Sequence, residues 1–216
     1  MKSIIICLVI IVIALPFLTS SLDGQTVPDQ STLMAHAPAR FRALFKTTKG
    51  DFIIEVNRDW SPLGADRLYQ LLMTHFYDNN GIFRVQKGYV VQFGICDKKE
   101  VNAFWDRQII PDEPVTKQNL QGTLSFARDG INSRTVQLFI NLKDNLKLDT
   151  VNFNGLRGFP PVAKVISGYE VIERLFGEYG FEPAKFQDSV MVQGNEYLRH
   201  HWPLIDYIRE AVLIEY

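Results

Sequence analysis

The chain has 216 residues, 46% hydrophobic and 22% charged, with a formal net charge of −1. This length fits one ordinary domain with extensions, and the composition is that of a globular protein. Near-neutral charge leaves no electrostatic footprint for a polyanion, so no nucleic-acid partner is expected.

Residues 1–23 read as a targeting segment. Lys2 precedes an uncharged apolar run from Ile4 to Leu18, followed by Thr19, Ser20 and Ser21. A basic start, an apolar stretch and small residues make a signal peptide or, if uncleaved, a signal anchor. A permanent span needs about 20 apolar residues, so the run is short for one. Export to a periplasm, a secretory lumen or the exterior is expected, with membrane contact only through an uncleaved N-terminus. Cys7 lies inside the apolar run, which leaves Cys96 as the lone thiol of the folded part and excludes an internal disulfide. An isolated cysteine in a strand-like stretch is expected to be a small core residue.

Residues 24–40 show no helical or strand period and carry two prolines, as a linker or loose arm does. A domain over 41–195 is expected next, with 196–216 as a tail packed on it. Phe41–Phe45 and Asp51–Val56 flank Lys49-Gly50 as a hairpin. Pro62 suits a first helical turn, and Leu68, Leu71, Leu72 and Phe76 form one apolar stripe. Residues 82–85 and 89–93 predict a second hairpin around Gln86-Lys87-Gly88. Arg84 and Gln92 interrupt its apolar surface. Arg84 is either a rim arginine whose head reaches water, or a guanidinium held over an apolar pocket with Gln92 orienting it.

Asp97–Glu100 reads as a solvated turn. Asp112 and Glu113 sit between Pro111 and Pro114, so the stretch is extended and its two carboxylates point to opposite faces. That favours a structural role over a metal or acid–base site. Leu124–Ala127 and Val136–Ile140 predict strands; in the second, Gln137 and Phe139 share one face. Pro161–Val165 is a further strand. Ser167 and Glu170 form a capping box for a helix carrying Val171, Ile172, Leu175 and Phe176. Ser189–Gly194 reads as a strand. These signals predict a mainly β fold: a closed antiparallel barrel of about eight strands capped by helices near 62–76 and 168–176.

Two segments carry a family resemblance. Phe83-Arg84-Val85, Gly88-Tyr89-Val90, Gln92 and Gly94 resemble the signature of the cyclophilin-type peptidyl-prolyl isomerases. Gly122–Ala127 with Asn132–Asn141 resembles that family's other active-site segment. The tail is similar to those of some bacterial-type members. The resemblance implies that Arg84 and Gln92 are catalytic, with Gln92 and Gln137 holding substrate backbone. It implies Tyr89, Val90, Phe139 and Val162 as pocket walls, Ala127 and Arg128 as backbone contacts on the rim, and Phe159 where many members have a histidine. Tyr89, Val90, Leu138 and Lys147 also depart from the usual residues, Lys147 standing where several members have a tryptophan. The implied partner is a Pro-containing polypeptide segment, bound by a monomer. No metal and no cofactor is implied.

Other chemistries lack their signals. His36, His75, His200 and His201 include no pair at the spacing that puts two imidazoles on one helix face. No GxSxG elbow, P-loop or dinucleotide fingerprint is present. The expected function is isomerisation of X–Pro bonds in exported proteins. The alternative is a low-activity module that docks Pro-containing segments.

Overall fold

The structure, a computed structural model, describes residues 25–153 and 156–214. The targeting segment read over 1–23 lies outside the described residues. From Gln25 onward the arm is docked along a helix of the domain and carries one short helix, α1 (Gln30–Leu33). Leu33 packs on the main core, and Ala37 is buried.

Alternation of Phe41, Ala43 and Phe45 with Arg42, Leu44 and Lys46 makes a strand with one face in the core. β1 (Arg40–Thr47) pairs with β2 (Gly50–Asn57) from Arg40↔Asn57 to Thr47↔Gly50, as the hairpin signal predicts. α2 (Pro62–Met73) follows, with proline in its first turn and Leu68, Leu71 and Leu72 buried. Its N-cap residue, Ser61, makes no capping bond. Glu113 takes that role from the extended segment: it accepts the N–H groups of Leu63 (2.7 Å) and Gly64 (3.2 Å). A carboxylate there answers both the free N–H groups and the positive end of the helix dipole.

β3 (Asn80–Gly81), β4 (Arg84–Gln86), β5 (Val90–Phe93), β6 (Thr123–Phe126) and β7 (Leu138–Asn141) come next in the chain. β8 (Asn152–Phe153) and β9 (Leu156–Arg157) form a separate small hairpin, and β10 (Pro161–Ser167) and β11 (Tyr207–Ile214) complete the main sheet. All ladders are antiparallel, in the order β3-β11-β1-β2-β10-β6-β7-β5-β4. The closed eight-stranded barrel is therefore corrected to a curled nine-stranded sheet, a half-barrel open between β3 and β4. Those end strands are two and three residues long and consecutive in the chain, and no ladder joins them.

Three local expectations also fail. Asp97–Glu100 is not a simple turn but leads into α3 (Lys99–Asp106), which buries Val101 and Trp105. Ser167 ends β10, so the capping box does not form; α4 (Tyr169–Glu173) starts after Gly168 with no side-chain cap. Residues 189–193 are helical, within α5 (Gln187–His201), which kinks at Gly194 (φ 64°, ψ −151°). Val190 is buried while Val192 is 65% exposed. Alternate residues of a strand would share a face, whereas two positions on a helix lie on nearly opposite sides. The last residues do not merely pack on the sheet, since β11 lies inside it between β3 and β1. α5 closes a second core with Phe83, Ile95, Trp202 and Ile205.

Candidate active site

The strand registers arrange the site in rows. Arg84 faces Gln92, Gln92 faces Phe139, and Phe139 faces Ser125 across β4, β5, β7 and β6. The next row, Val85, Val91, Ile140 and Leu124, lies in the main core. Side chains alternate across a sheet, so Arg84, Gln92 and Phe139 stand together on its outer face. The same alternation carries Gln86 and Val90 there.

A cavity of about 440 Å³ opens over this face. Its apolar base is Val90, Phe139 and Leu148, with Tyr89, Ala127 and Phe159 packed around them. The Phe139 and Phe159 rings meet edge to face at 5.6 Å. Arg84 stands at the lip, half-buried, donating from Nη1 to Gln92 Oε1 (3.0 Å) and from Nη2 to Gln86 Oε1 (2.8 Å). Gln92 in turn donates from Nε2 to Gln137 Oε1 (2.8 Å). Burial lowers the Arg84 pKa from its usual value, yet a guanidinium remains charged. Of the two readings of Arg84, a head reaching freely into water is set aside.

Gln137 is positioned by a close backbone approach. Gly94, at φ +116°, lies so near that an added Cβ would sit 2.7 Å from Gln137 Cα and 2.9 Å from Val136 O. Only glycine allows both this conformation and this contact. Beneath the cavity, Asn119 donates to Asp149 Oδ1 and Phe159 O, both at 2.8 Å, and Asn145 donates to Tyr89 O at 2.8 Å. These buried amides tie the loop bearing Leu148 and Phe159 to the sheet.

Arg128 does more than present its backbone. Its side chain is 1% exposed, donates to Asp112 Oδ1 (3.1 Å) and Gly158 O, and covers the Phe159 ring at 4.8 Å. Asp112 thus serves the site while neighbouring Glu113 caps α2, yet both carboxylates also meet the buried Arg134 guanidinium, at 3.9 and 3.0 Å, so the pair does not point to opposite faces as expected.

The curled sheet agrees with the comparisons. The model of the cyclophilin type peptidyl-prolyl cis-trans isomerase/CLD family matches residues 42–194. The chain belongs to the cyclophilins. Peptidyl-prolyl cis-trans isomerase B of Escherichia coli (strain K12) is 29% identical over 144 residues, covering 62% of this chain and 82% of its own. An Acinetobacter baylyi peptidyl-prolyl cis-trans isomerase is 27% identical, covering 66% and 76%. A Cryptosporidium parvum cyclophilin type peptidyl-prolyl cis-trans isomerase, solved also in the presence of the dipeptide Ala-Pro, shares the fold. Its TM-score is 0.59 at 18% identity, covering 82% of this chain and 99% of that one.

In this cyclophilin the cavity gathers Arg84, Tyr89, Val90, Gln92, Ala127, Arg128, Phe139 and Phe159. Gln137 joins through Gln92 and lines an adjoining polar cavity of about 630 Å³, which shares Gln92, Ala127 and Arg128 with the first. Val162 is the exception: it is fully buried in the main core and lines neither cavity. β10 turns that side chain inward, so it is corrected from pocket wall to core. Lys147 is exposed and outside the cavity, while its neighbour Leu148 lines it. Sequence reasoning missed Leu148, Val151, Phe181 and Gln187, which sit in short turns, loops or at the first residue of α5, where no period marks a buried face. Among the described residues no group of three or more histidines, cysteines or carboxylates is arranged to hold a metal ion.

Proposed function

We propose that this cyclophilin accelerates X–Pro isomerisation through Arg84, acting on polypeptides met after export. An X–Pro bond resists rotation by about 18–20 kcal/mol because its C–N bond has partial double-bond character. In the proposed complex the proline ring rests on Val90, Phe139 and Leu148. Gln92 and Gln137 hold the flanking backbone. Arg84 donates to the proline nitrogen, whose lone pair is released as the amide twists. That bond is strongest at the twisted geometry, so it stabilises the transition state more than either planar isomer. No nucleophile, acid or cofactor is required.

The observation that carries this reading is the guanidinium held by Gln92 and Gln86 at the lip of an apolar cavity. Exchange spectroscopy on an X–Pro peptide tests it. Arg84→Ala is expected to lower kcat/KM at least a hundredfold with the fold retained, and Arg84→Lys to rescue poorly because a point charge does not reproduce the fork. A wild-type rate in Arg84→Ala leaves only the docking-module alternative.

Export rests on residues 1–23, and the domain is taken to work as a monomer. A full-length reporter fusion is expected outside the cytosol, and removal of residues 1–23 to retain it inside. A cytosolic full-length fusion overturns the export reading without touching the chemistry.

A further inference from the structure

Phe181 is 46% exposed, yet it is firmly held. Gly180 before it bridges Val85 of β4. Behind it Pro183 and Ala184 are buried, Glu182 N donates to Tyr179 O (3.0 Å), and Ala184 N donates to Phe181 O (3.1 Å). This frame sets the ring centre 4.7 Å from the guanidinium carbon of Arg84, and Tyr89 lies 5.5 Å from the same carbon. The two terminal nitrogens of Arg84 are occupied by glutamines, while its buried Nε has no protein partner. Two glutamine oxygens therefore fix the rotation of the guanidinium in its plane. Oxygens alone do not fix the tilt of that plane, whereas an aromatic face does, because its negative quadrupole attracts the cation.

We infer that Phe181, from a segment outside both sequence motifs, is a positioning residue for isomerisation: its ring sets the tilt of the Arg84 guanidinium against the proline pocket. The inference rests on the Arg84 mechanism proposed above, and its test separates the two.

The variants are Phe181→Leu, which keeps apolar bulk but removes the quadrupole, and Phe181→Tyr, which keeps it. Phe181→Leu is expected to lower kcat about five- to tenfold with KM within twofold, and Phe181→Tyr to keep near wild-type kcat. Placed in the Arg84→Ala background, Phe181→Leu is expected to cause no further loss, because it acts through Arg84. Wild-type kcat in Phe181→Leu overturns the inference, as does an equal loss with Arg84 already removed. A rise in KM alone overturns it too, since that marks a ring that merely contacts substrate. Thermal melts of each variant establish that it is folded. If Arg84→Ala alone keeps the wild-type rate, the Arg84 mechanism falls and this inference with it; if it is inactive while Phe181→Leu is normal, only this inference falls.

Discussion

Arg84 and Arg128 flank one cavity, and their surroundings give them different work. Arg84 is half-buried with neutral partners, so its charge remains available to a ligand. Arg128 is enclosed and paired with Asp112, and its flat face is spent on Phe159. We expect Arg128→Met to loosen Phe159 and the loop carbonyl at Gly158, raising KM about tenfold while kcat changes little. Steady-state kinetics on an X–Pro peptide checks it; an equal fall in kcat would mean that Arg128 acts in the chemical step. Arg67 and Arg134 are buried as well, bonded to Thr135 O (3.0 Å) and Glu113 Oε2 (3.0 Å), so they brace the 128–137 loop from behind. The pairings of Arg67, Arg128 and Arg134 are not legible in the chain, because each partner is distant in sequence. Cys96 behaves as its isolation suggests: it is a buried core residue, and burial pushes its thiol up to about 12.

At the scale of elements, most strands were legible, whereas α3, which packs on the main core, and α5, which closes the second, were not. Alternation in 136–140 is strong enough to assign faces, and Leu138 and Ile140 lie in the core with Phe139 on the other side, as assigned. α3 was hidden because its polar N-terminal turn resembles a loop, and α5 because Val190 and Val192 imitate strand alternation. The arm's attachment to α2 was also invisible. Asp66 on α2 accepts from Ala37 N (2.9 Å), from both Nε and Nη2 of Arg58 (2.8 and 2.9 Å), and pairs with His36 Nδ1 (2.7 Å). Burial by itself would raise this carboxyl, but Arg58, His36 and the Ala37 N–H outweigh it and bring it to about 2 from 3.8. The folded-state value is depressed, so the stabilisation is fully present above about pH 4 and is lost as pH falls toward 2. Asp66→Asn is expected to cost about 2 kcal/mol at neutral pH, a difference that shrinks across that acid window in denaturant melts. A pH-independent difference would show that the ionised carboxylate is not the tether.

In the molecule as a whole, the sheet's inner face builds the core and its outer face builds the site. The sequence by itself determined the first two hairpins and the α2 stripe, because each follows from spacing within ten residues or from a period of two, whereas Arg84, Gln92 and Phe139 were marked as site residues by the family resemblance. Tertiary structure alone decided that the sheet stays open between β3 and β4, that β11 enters it, and that Val162 turns inward. It also decided that Leu148 and Phe181 reach the cavity and that Glu113 caps a helix some 50 residues earlier in the chain. The physical reason is the same in each case. Periodicity encodes which side of an element is apolar, but which distant element covers it depends on burial and pairing across the whole chain.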